Sequence, residues 1–364
     1  RRRFRRHNAA HRFVETEVIS AMIASSRNPD ADIDTLRDSL RDIPEFRATL
    51  ARMWPMLVPA ELLHDLFGSA ALVKSAAKDE FSEEEYECLV RGRSNSIAEV
   101  LWSDSDVALL DEALALLGPR PRKNGKIDET DEVRVFGHIV IDEVQDLTPM
   151  QLRMASRRSL SGAMTVVGDL AQATGPFAPN DWSDLLQYLP TKREQEVIGL
   201  TVGYRIPAQI MSLADKVMLE AAPSLRAPQS VREGDFGPDI VEVKSGNDLL
   251  DVVIEQAKIL LTNVGEGNVA IVCPDDMTDA VDSALTAAGV AHGRANTTAL
   301  DSRLTVVPVS VVKGLELDGV LVVEPARIVA SQVHGLRALY VALTRSTQRL
   351  TVVHSEPLPS AMQS

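Results

Sequence analysis

From about residue 133 the chain changes rhythm: short β-branched runs recur between helical segments, and that alternation narrows the fold more than any other feature. The runs are Val135–Ile141, Met164–Val167, Val197–Leu200, Ile240–Val243, Val269–Cys273, Thr305–Val309, Val320–Val323 and Leu350–Val353. Most are apolar at successive positions, as strands are when helices cover both faces of a parallel sheet. Pro149 and Pro207 each stand where a helix should begin. Ahead of this region, residues 1 to about 118 read as helix after helix. Val14, Val18 and Met22 repeat every four residues until Asn28-Pro29, and Ile33, Leu36 and Leu40 mark a second helix. Pro59 opens another that Gly68 closes, Ser82 with Glu85 has the spacing of a capping box, and a last helix runs from Ser103 to Leu117 before Gly118-Pro119. The expected fold is α/β, with two parallel-sheet lobes at 131–198 and 199–364 behind an all-helical region at 1–130. The segment Gly118–Thr130 reads as a loop, and its Asn124-Gly125-Lys126 lacks the spacing of a phosphate loop.

Two strand ends carry chemistry. The run Ile139-Val140-Ile141 stops abruptly at Asp142-Glu143-Val144-Gln145-Asp146. At the carboxyl edge of a parallel sheet one carboxylate can hold Mg²⁺ while its neighbour orients or deprotonates water. Taken alone, such a pair is more often a solvated acidic turn. The second run, Thr165-Val166-Val167, ends in Gly168-Asp169-Leu170-Ala171-Gln172, where an amide could touch a terminal phosphate or place the attacking water. Three further pieces follow: Tyr204-Arg205, then Lys313-Gly314-Leu315-Glu316, then the helical run Leu339-Tyr340-Val341-Ala342-Leu343-Thr344-Arg345. Phosphoryl transfer needs positive charge on the equatorial oxygens, and arginine supplies it. Any one of these arginines alone would be an ordinary surface salt bridge; the ordered set is what points to a site.

Charge and composition remove other classes. With 38 basic and 52 acidic residues the formal net charge is −14, which argues against a surface coated for DNA phosphates, though not against a local basic channel. There is no apolar run long enough to cross a membrane and no leader pattern, so the reading is cytoplasmic. Arg1 to Arg6 read as a solvated helix start, and the chain opens without Met, as a piece of a longer protein would. Cys88 and Cys273 read as two buried thiols, a disulfide being the alternative. The seven histidines share no ligand spacing, so no metal beyond Mg²⁺ is implied. Trp54 and Trp102 read as anchors of the helical core.

In order, DEVQD, GDLAQ, GYR, VKGLE and LYVALTR resemble motifs II to VI of superfamily 1 helicases, the UvrD/Rep group, across residues 139–346. The resemblance implies RecA-like lobes, the remainder of 1A at 131–198 and a complete 2A at 199–364, and an ATPase using ATP and Mg²⁺. By motif it implies Asp142 as metal ligand and Glu143 as the base for water. Gln172 would contact the γ-phosphate and couple the lobes, Tyr204 would stack on adenine, and Arg205 and Arg345 would bind the γ-phosphate. Glu316, in the Gly314 turn, would take a ribose hydroxyl.

The departures matter. No GxxxxGK[ST] occurs in the sequence, so the chain alone should hydrolyse ATP poorly or not at all; in the family that loop precedes motif II. Gly203 stands for the usual Asn, Ser310-Val311 for the usual His-Ser, and the aromatic after GDxxQ is displaced to Phe177. These last positions put strand tracking in doubt. The spacing between motifs IV and V leaves no room for a 2B insertion. The runs SGAMTVVGDLAQATGPFAPNDWSDLL and LTVGYRIPAQIM, and the helical RMWPMLVPAELLHDLFG, resemble the actinobacterial HelD family of RNA polymerase-associated ATPases. That resemblance implies an ATPase that binds core RNA polymerase, displaces nucleic acid and recycles the stalled enzyme, with the helical region as the end of a 1A insertion. It also implies a missing N-terminal part of the same protein. Two alternatives stand beside it: a DNA translocase in repair, which would need a basic and aromatic strand path where only Phe177, Trp182 and scattered arginines are on offer, and a non-catalytic interaction module.

Overall fold

The computed structural model describes residues 6–26, 32–78, 80–120, 133–190, 194–225, 228–244, 246, 248–295 and 302–363. The Asn28-Pro29 stop, Asn124-Gly125-Lys126 and Arg1 to Arg5 lie outside the described residues. The chain packs as two compact units, one formed by Arg1–Ile139 with Pro149–Ala163 and the other by Val140–Thr148 with Met164–Ser364.

The first unit is helical: α1 (His7–Ser25), α2 (Ile33–Leu40), α3 (Pro44–Met53), α4 (Pro59–Phe67), α5 (Ala70–Ala77), α6 (Glu83–Leu89), α7 (Asp104–Leu117) and α8 (Pro149–Arg157). Their boundaries follow the sequence signals. Ser82 and Glu85 form the capping box, Pro59 opens α4, and Gly118 ends α7 at a φ of 73°. Asp106 accepts the Ser103 backbone N–H at 2.9 Å and binds Arg91 at 2.7 Å, so it caps α7 and anchors the segment before it. Arg157 on α8 donates to both Asp111 and Glu112 on α7, and Arg158 reaches Asp111 at 2.6 Å. Ile19, Leu63, Ala108 and Leu152 are buried in this unit. Trp54 and Trp102 are only half-buried; the Trp54 indole stacks on His7 and donates to its carbonyl at 3.0 Å. Cys273 is buried as read, but Cys88 is exposed, because α6 is a short amphipathic helix that turns it outward.

The second unit holds the sheet. After β1 (Ile139–Ile141) come β2 (Met164–Val166), α9 (Trp182–Leu186), β3 (Val202–Gly203), α10 (Ala208–Ala221), β4 (Gln229–Ser230) and β5 (Asp239–Glu242). Then follow α11 (Leu249–Val264), β6 (Val269–Cys273), α12 (Thr278–Ala287), β7 (Gly293–Arg294), β8 (Leu304–Pro308) and β9 (Leu317–Val323). The chain closes with α13 (Pro325–Ser331), α14 (Gly335–Leu343), β10 (Ser346–His354) and α15 (Ser360–Gln363). Six strands form one sheet in the order β5-β10-β9-β6-β8-β7, with every ladder parallel. β1 with β2, and β3 with β4, make two-stranded sheets.

The period-two rule of a strand sorts the core into two faces. Ala270, Val272, Val320, Val322 and Val352 pack with α10, α13 and α14; Val269, Ile271, Cys273, Leu321 and Val353 pack with α11 and α12. That is why the strand runs are continuously apolar. Gly335 lets α14 press against α13, since a Cβ there would lie 1.9 Å from the Val329 carbonyl oxygen. At the end of β9 the buried Glu324 accepts the Ser355 N–H at 2.7 Å and its hydroxyl, tying β9 to the end of β10. The α/β class with a helical region ahead of it is the expected one. One strand expectation fails: Val197–Leu200 forms no regular element and pairs with no strand among the described residues, leaving Ile198 73% and Leu200 83% exposed. β-branched composition makes a strand only where a neighbour accepts its ladder, and the ladder begins two residues later, at β3 against β4.

Asp106 gives this fold a pH signature. Its hydrogen bond from Arg91, with those from Ser103, holds the carboxyl down at about 2 although burial opposes this. A depressed native pKa contributes stability above the ordinary carboxylate range, lost as pH falls through the native value. The melting temperature of the helical unit should therefore fall between pH 4 and pH 2. Asp106→Asn, which keeps an acceptor for the Ser103 N–H but loses the charge that strengthens the Arg91 bond, should cost about 1–2 kcal/mol at neutral pH and flatten that acid limb, both read by circular dichroism melts.

Candidate active site

All residues singled out by the five motif-like runs fall in the second unit. Hydrogen bonds from Val144 N–H to the Val167 carbonyl at 3.1 Å, and from Val167 N–H to that of Ile141 at 2.8 Å, hold the DEVQD turn against the Gly168-Asp169 turn. Asp142 is exposed at the strand end, and its Oδ1 accepts the Glu143 N–H at 2.9 Å. Glu143 adopts the left-handed backbone region, φ 50° and ψ 42°, an uncommon state for a non-glycine residue that throws its side chain out of the strand line. Its carboxylate accepts from Gln145 Nε2 at 2.5 Å.

Gln172 is fixed at three points. Its amide nitrogen donates to Asp169 Oδ2 at 2.9 Å, its amide oxygen accepts from Arg345 at 3.0 Å, and its backbone carbonyl accepts from Lys313 Nζ at 2.8 Å. Lys313 also bonds Asp146 Oδ1 at 2.6 Å and lies 3.8 Å from Glu143 Oε2. Residues from three distant runs thus meet around one glutamine.

The placement of Arg345 and Glu316 follows from sheet register. β9 and β10 are neighbours with Ser346 opposite Leu317, so the residues just before them, Glu316 and Arg345, emerge side by side at the amino ends of the strands. Arg345 also sits at the C-terminal end of the buried helix α14, where its Nε donates to the orphan carbonyl of Val341 at 3.1 Å. Burial pulls the Arg345 guanidinium below its usual pKa; Tyr340, Glu143 and Asp169 counter this, while Arg205 reinforces it. Arg345 therefore feels both the carboxylate of Glu143 and the charge of Arg205.

Arg205 is half-exposed and pairs with Glu316 Oε1 at 2.7 Å. The β3–β4 pair and Arg232, which donates to the Arg205 carbonyl at 2.9 Å, set this loop. Tyr204 is 76% exposed. A Cβ at Gly203 would meet only ordinary contacts, from 3.8 Å, so packing does not demand glycine there. Gly314 has φ 79°, a turn that favours glycine. The structure thus joins Arg345 with Gln172, and Arg205 with Glu316, whereas the Asp142 carboxylate turns to the Glu143 N–H and pairs with neither arginine.

Sequence reasoning missed the parts played by Gln145, Asp146, Asp169, Lys313 and Arg337. Arg337 is buried on α14 and donates to the carbonyls of Ala173 at 3.4 Å and Pro179 at 3.1 Å, tying down the loop after GDLAQ. A polar residue between apolar neighbours in these runs was the available signal.

Among the described residues no three His, Cys, Asp or Glu side chains gather to cage a metal. Asp142 offers one hard oxygen donor at an exposed strand end, which fits a Mg²⁺ ion arriving on phosphates better than a resident ion. No helix among the described residues is long and apolar enough to cross a membrane.

No protein-family model matches the chain, and no curated protein matches it. Among solved structures it is similar to the C-terminal domain of a possible DNA helicase from Lactobacillus plantarum WCFS1, with 24% identity and a TM-score of 0.36, over 44% of this chain and 92% of that one. It is also similar to the Sulfolobus solfataricus SWI2/SNF2 ATPase core in complex with dsDNA, with 15% identity and a TM-score of 0.26, over 44% of this chain and 35% of that one. Likeness at this level assigns no role to any residue.

The lysine contact yields a stability test. Lys313→Met leaves the exposed Asp146 and the part-buried Gln172 carbonyl without their shared donor and should destabilise the sheet-containing unit by about 1 kcal/mol. Urea denaturation should show the loss, with Lys313→Arg recovering most of it.

Proposed function

We propose that the chain is part of a helicase-like ATPase of the superfamily 1 kind, with RecA-like lobes, and that its work is the remodelling of transcription complexes on RNA polymerase. The observation that carries the ATPase reading is the meeting of Gln172 with Arg345 and Lys313, which gathers the ends of three sequence-distant runs beside the Glu143 carboxylate. Opposite charges concentrated at strand ends are what phosphoryl transfer requires, since the protein's part is positioning and electrostatic stabilisation. In this reading Glu143 accepts a proton from the attacking water, and Asp142 holds Mg²⁺. When bound, that ion neutralises charge on the phosphates. Arg345 and Arg205 face the terminal phosphate, Tyr204 lies against the base, and Glu316 takes a ribose hydroxyl when Arg205 releases it.

The polymerase reading rests on the resemblance to the HelD family and on the net charge of −14, which suits competition for basic channels better than a grip on DNA. Phe177, 65% exposed, and Trp182, half-buried, are the aromatics beside the GDLAQ turn.

In a longer protein carrying this chain behind a GxxxxGK[ST] loop, Glu143→Gln should abolish ATP turnover while ATP still binds. Arg345→Ala should slow turnover by about 10³-fold, as loss of an arginine finger does. Undiminished hydrolysis in Glu143→Gln would remove the base assignment. Retention on immobilised core RNA polymerase, without tight salt-sensitive binding to single-stranded DNA, supports the polymerase role; the reverse pattern supports a DNA translocase.

A further inference from the structure

Gln145 is 2% exposed, a polar side chain buried in the short helical turn Val144–Asp146 that follows β1. Its two amide atoms are both spent. Nε2 donates to the Glu143 carboxylate at 2.5 Å, and Oε1 accepts the Asp169 backbone N–H at 3.0 Å. Only one amide orientation satisfies both, because a carboxylate needs a donor and an N–H needs an acceptor. The neighbouring strand end is cut to fit. A Cβ on Gly168 would collide with Gln145 Oε1 and lie 2.8 Å from Val144 Cγ1, so the space that Gln145 and Val144 occupy favours glycine there.

The bonds continue beyond Gln145. The Asp169 carboxylate accepts the Ala171 N–H at 3.0 Å and the Gln172 amide at 2.9 Å, and Gln172 in turn accepts from Arg345 at 3.0 Å. A chain of polar contacts therefore runs Glu143–Gln145–Asp169–Gln172–Arg345. One end carries a carboxylate in a strained left-handed backbone state, which persists only when its surroundings over-determine it. The other end carries a buried guanidinium.

We propose that Gln145 is a positioning residue: it fixes the Glu143 carboxylate and, through Asp169 and Gln172, sets it in register with Arg345. The proposal rests on the ATPase reading for its consequence in turnover, whereas the bond to Asp169 stands independently of it. Neither charge nor shape can replace the amide. Glutamate at 145 would set two carboxylates against each other, and leucine would leave the Asp169 N–H without its acceptor.

The test has two arms. In the chain as it stands, amide hydrogen exchange is followed at Asp169. Gln145→Leu should expose that amide to exchange at least tenfold faster while amides of β9 and β10 stay protected. Unchanged exchange at Asp169 would overturn the wiring. In the longer, ATP-hydrolysing protein, Gln145→Glu and Gly168→Ala should each lower kcat by about tenfold to a hundredfold, as small misplacements of a reacting group do, with KM for ATP little changed. Gly168→Ala should cost less when added to Gln145→Ala, because the contact with Oε1 is then gone and only that with Val144 remains. Wild-type kcat in Gln145→Glu, or a change in KM alone, would overturn the positioning role. A wild-type protein that never hydrolyses ATP would instead overturn the ATPase reading and with it the effect on turnover, and Asp169 exchange would then decide the wiring alone.

Discussion

The contact between Arg345 and the Gln172 amide organises the second unit's polar edge. It joins a residue placed by the β9–β10 register to one placed by the turn after β2, although 173 positions separate them in the chain. Burial makes it consequential. A guanidinium that has given up water must find acceptors, and here they are the Val341 carbonyl, the Thr344 hydroxyl and Gln172. Removing any acceptor leaves a cation undersatisfied in a poor solvent.

Around that contact the site is built from ordinary parts. Parallel ladders bring strand ends level, a largely buried helix ends beside one of them, and Glu143 and Gly314 turn the chain through left-handed backbone states. Lys313 supplies the one cation bonded to the DEVQD turn among the described residues, between Asp146 and the carbonyl of Gln172. The acidic turn that would otherwise repel itself is thereby balanced from within the same unit.

Much of this was legible in the sequence because strong local rules applied. Continuous apolar runs announced β6, β8, β9 and β10 as strands covered on both faces, though β1 leaves Val140 exposed, and Ser82, Pro59 and Gly118 marked helix ends by chemistry that tertiary contacts did not override. Val197–Leu200 misled because strand propensity is a statement about neighbours, and no neighbour among the described residues took it. The roles of Gln145, Asp169 and Arg337 were not legible for a different reason. A buried amide or guanidinium is defined by its partners, and those lie in other segments. Cys88 shows the same limit on a small scale, since the type favours burial but the helix face decides.

The interleaving of the two units along the chain has a consequence for synthesis. α7 emerges from a ribosome well before Arg157 and Arg158, its ionic partners on α8, so Asp111 and Glu112 must wait in water while the DEVQD turn is made in between. The helical body cannot lock until the nascent polypeptide has already passed through the other body once. Completion of one is thus timed by the birth of the other, and a ribosome paused just after residue 148 would hold both unfinished.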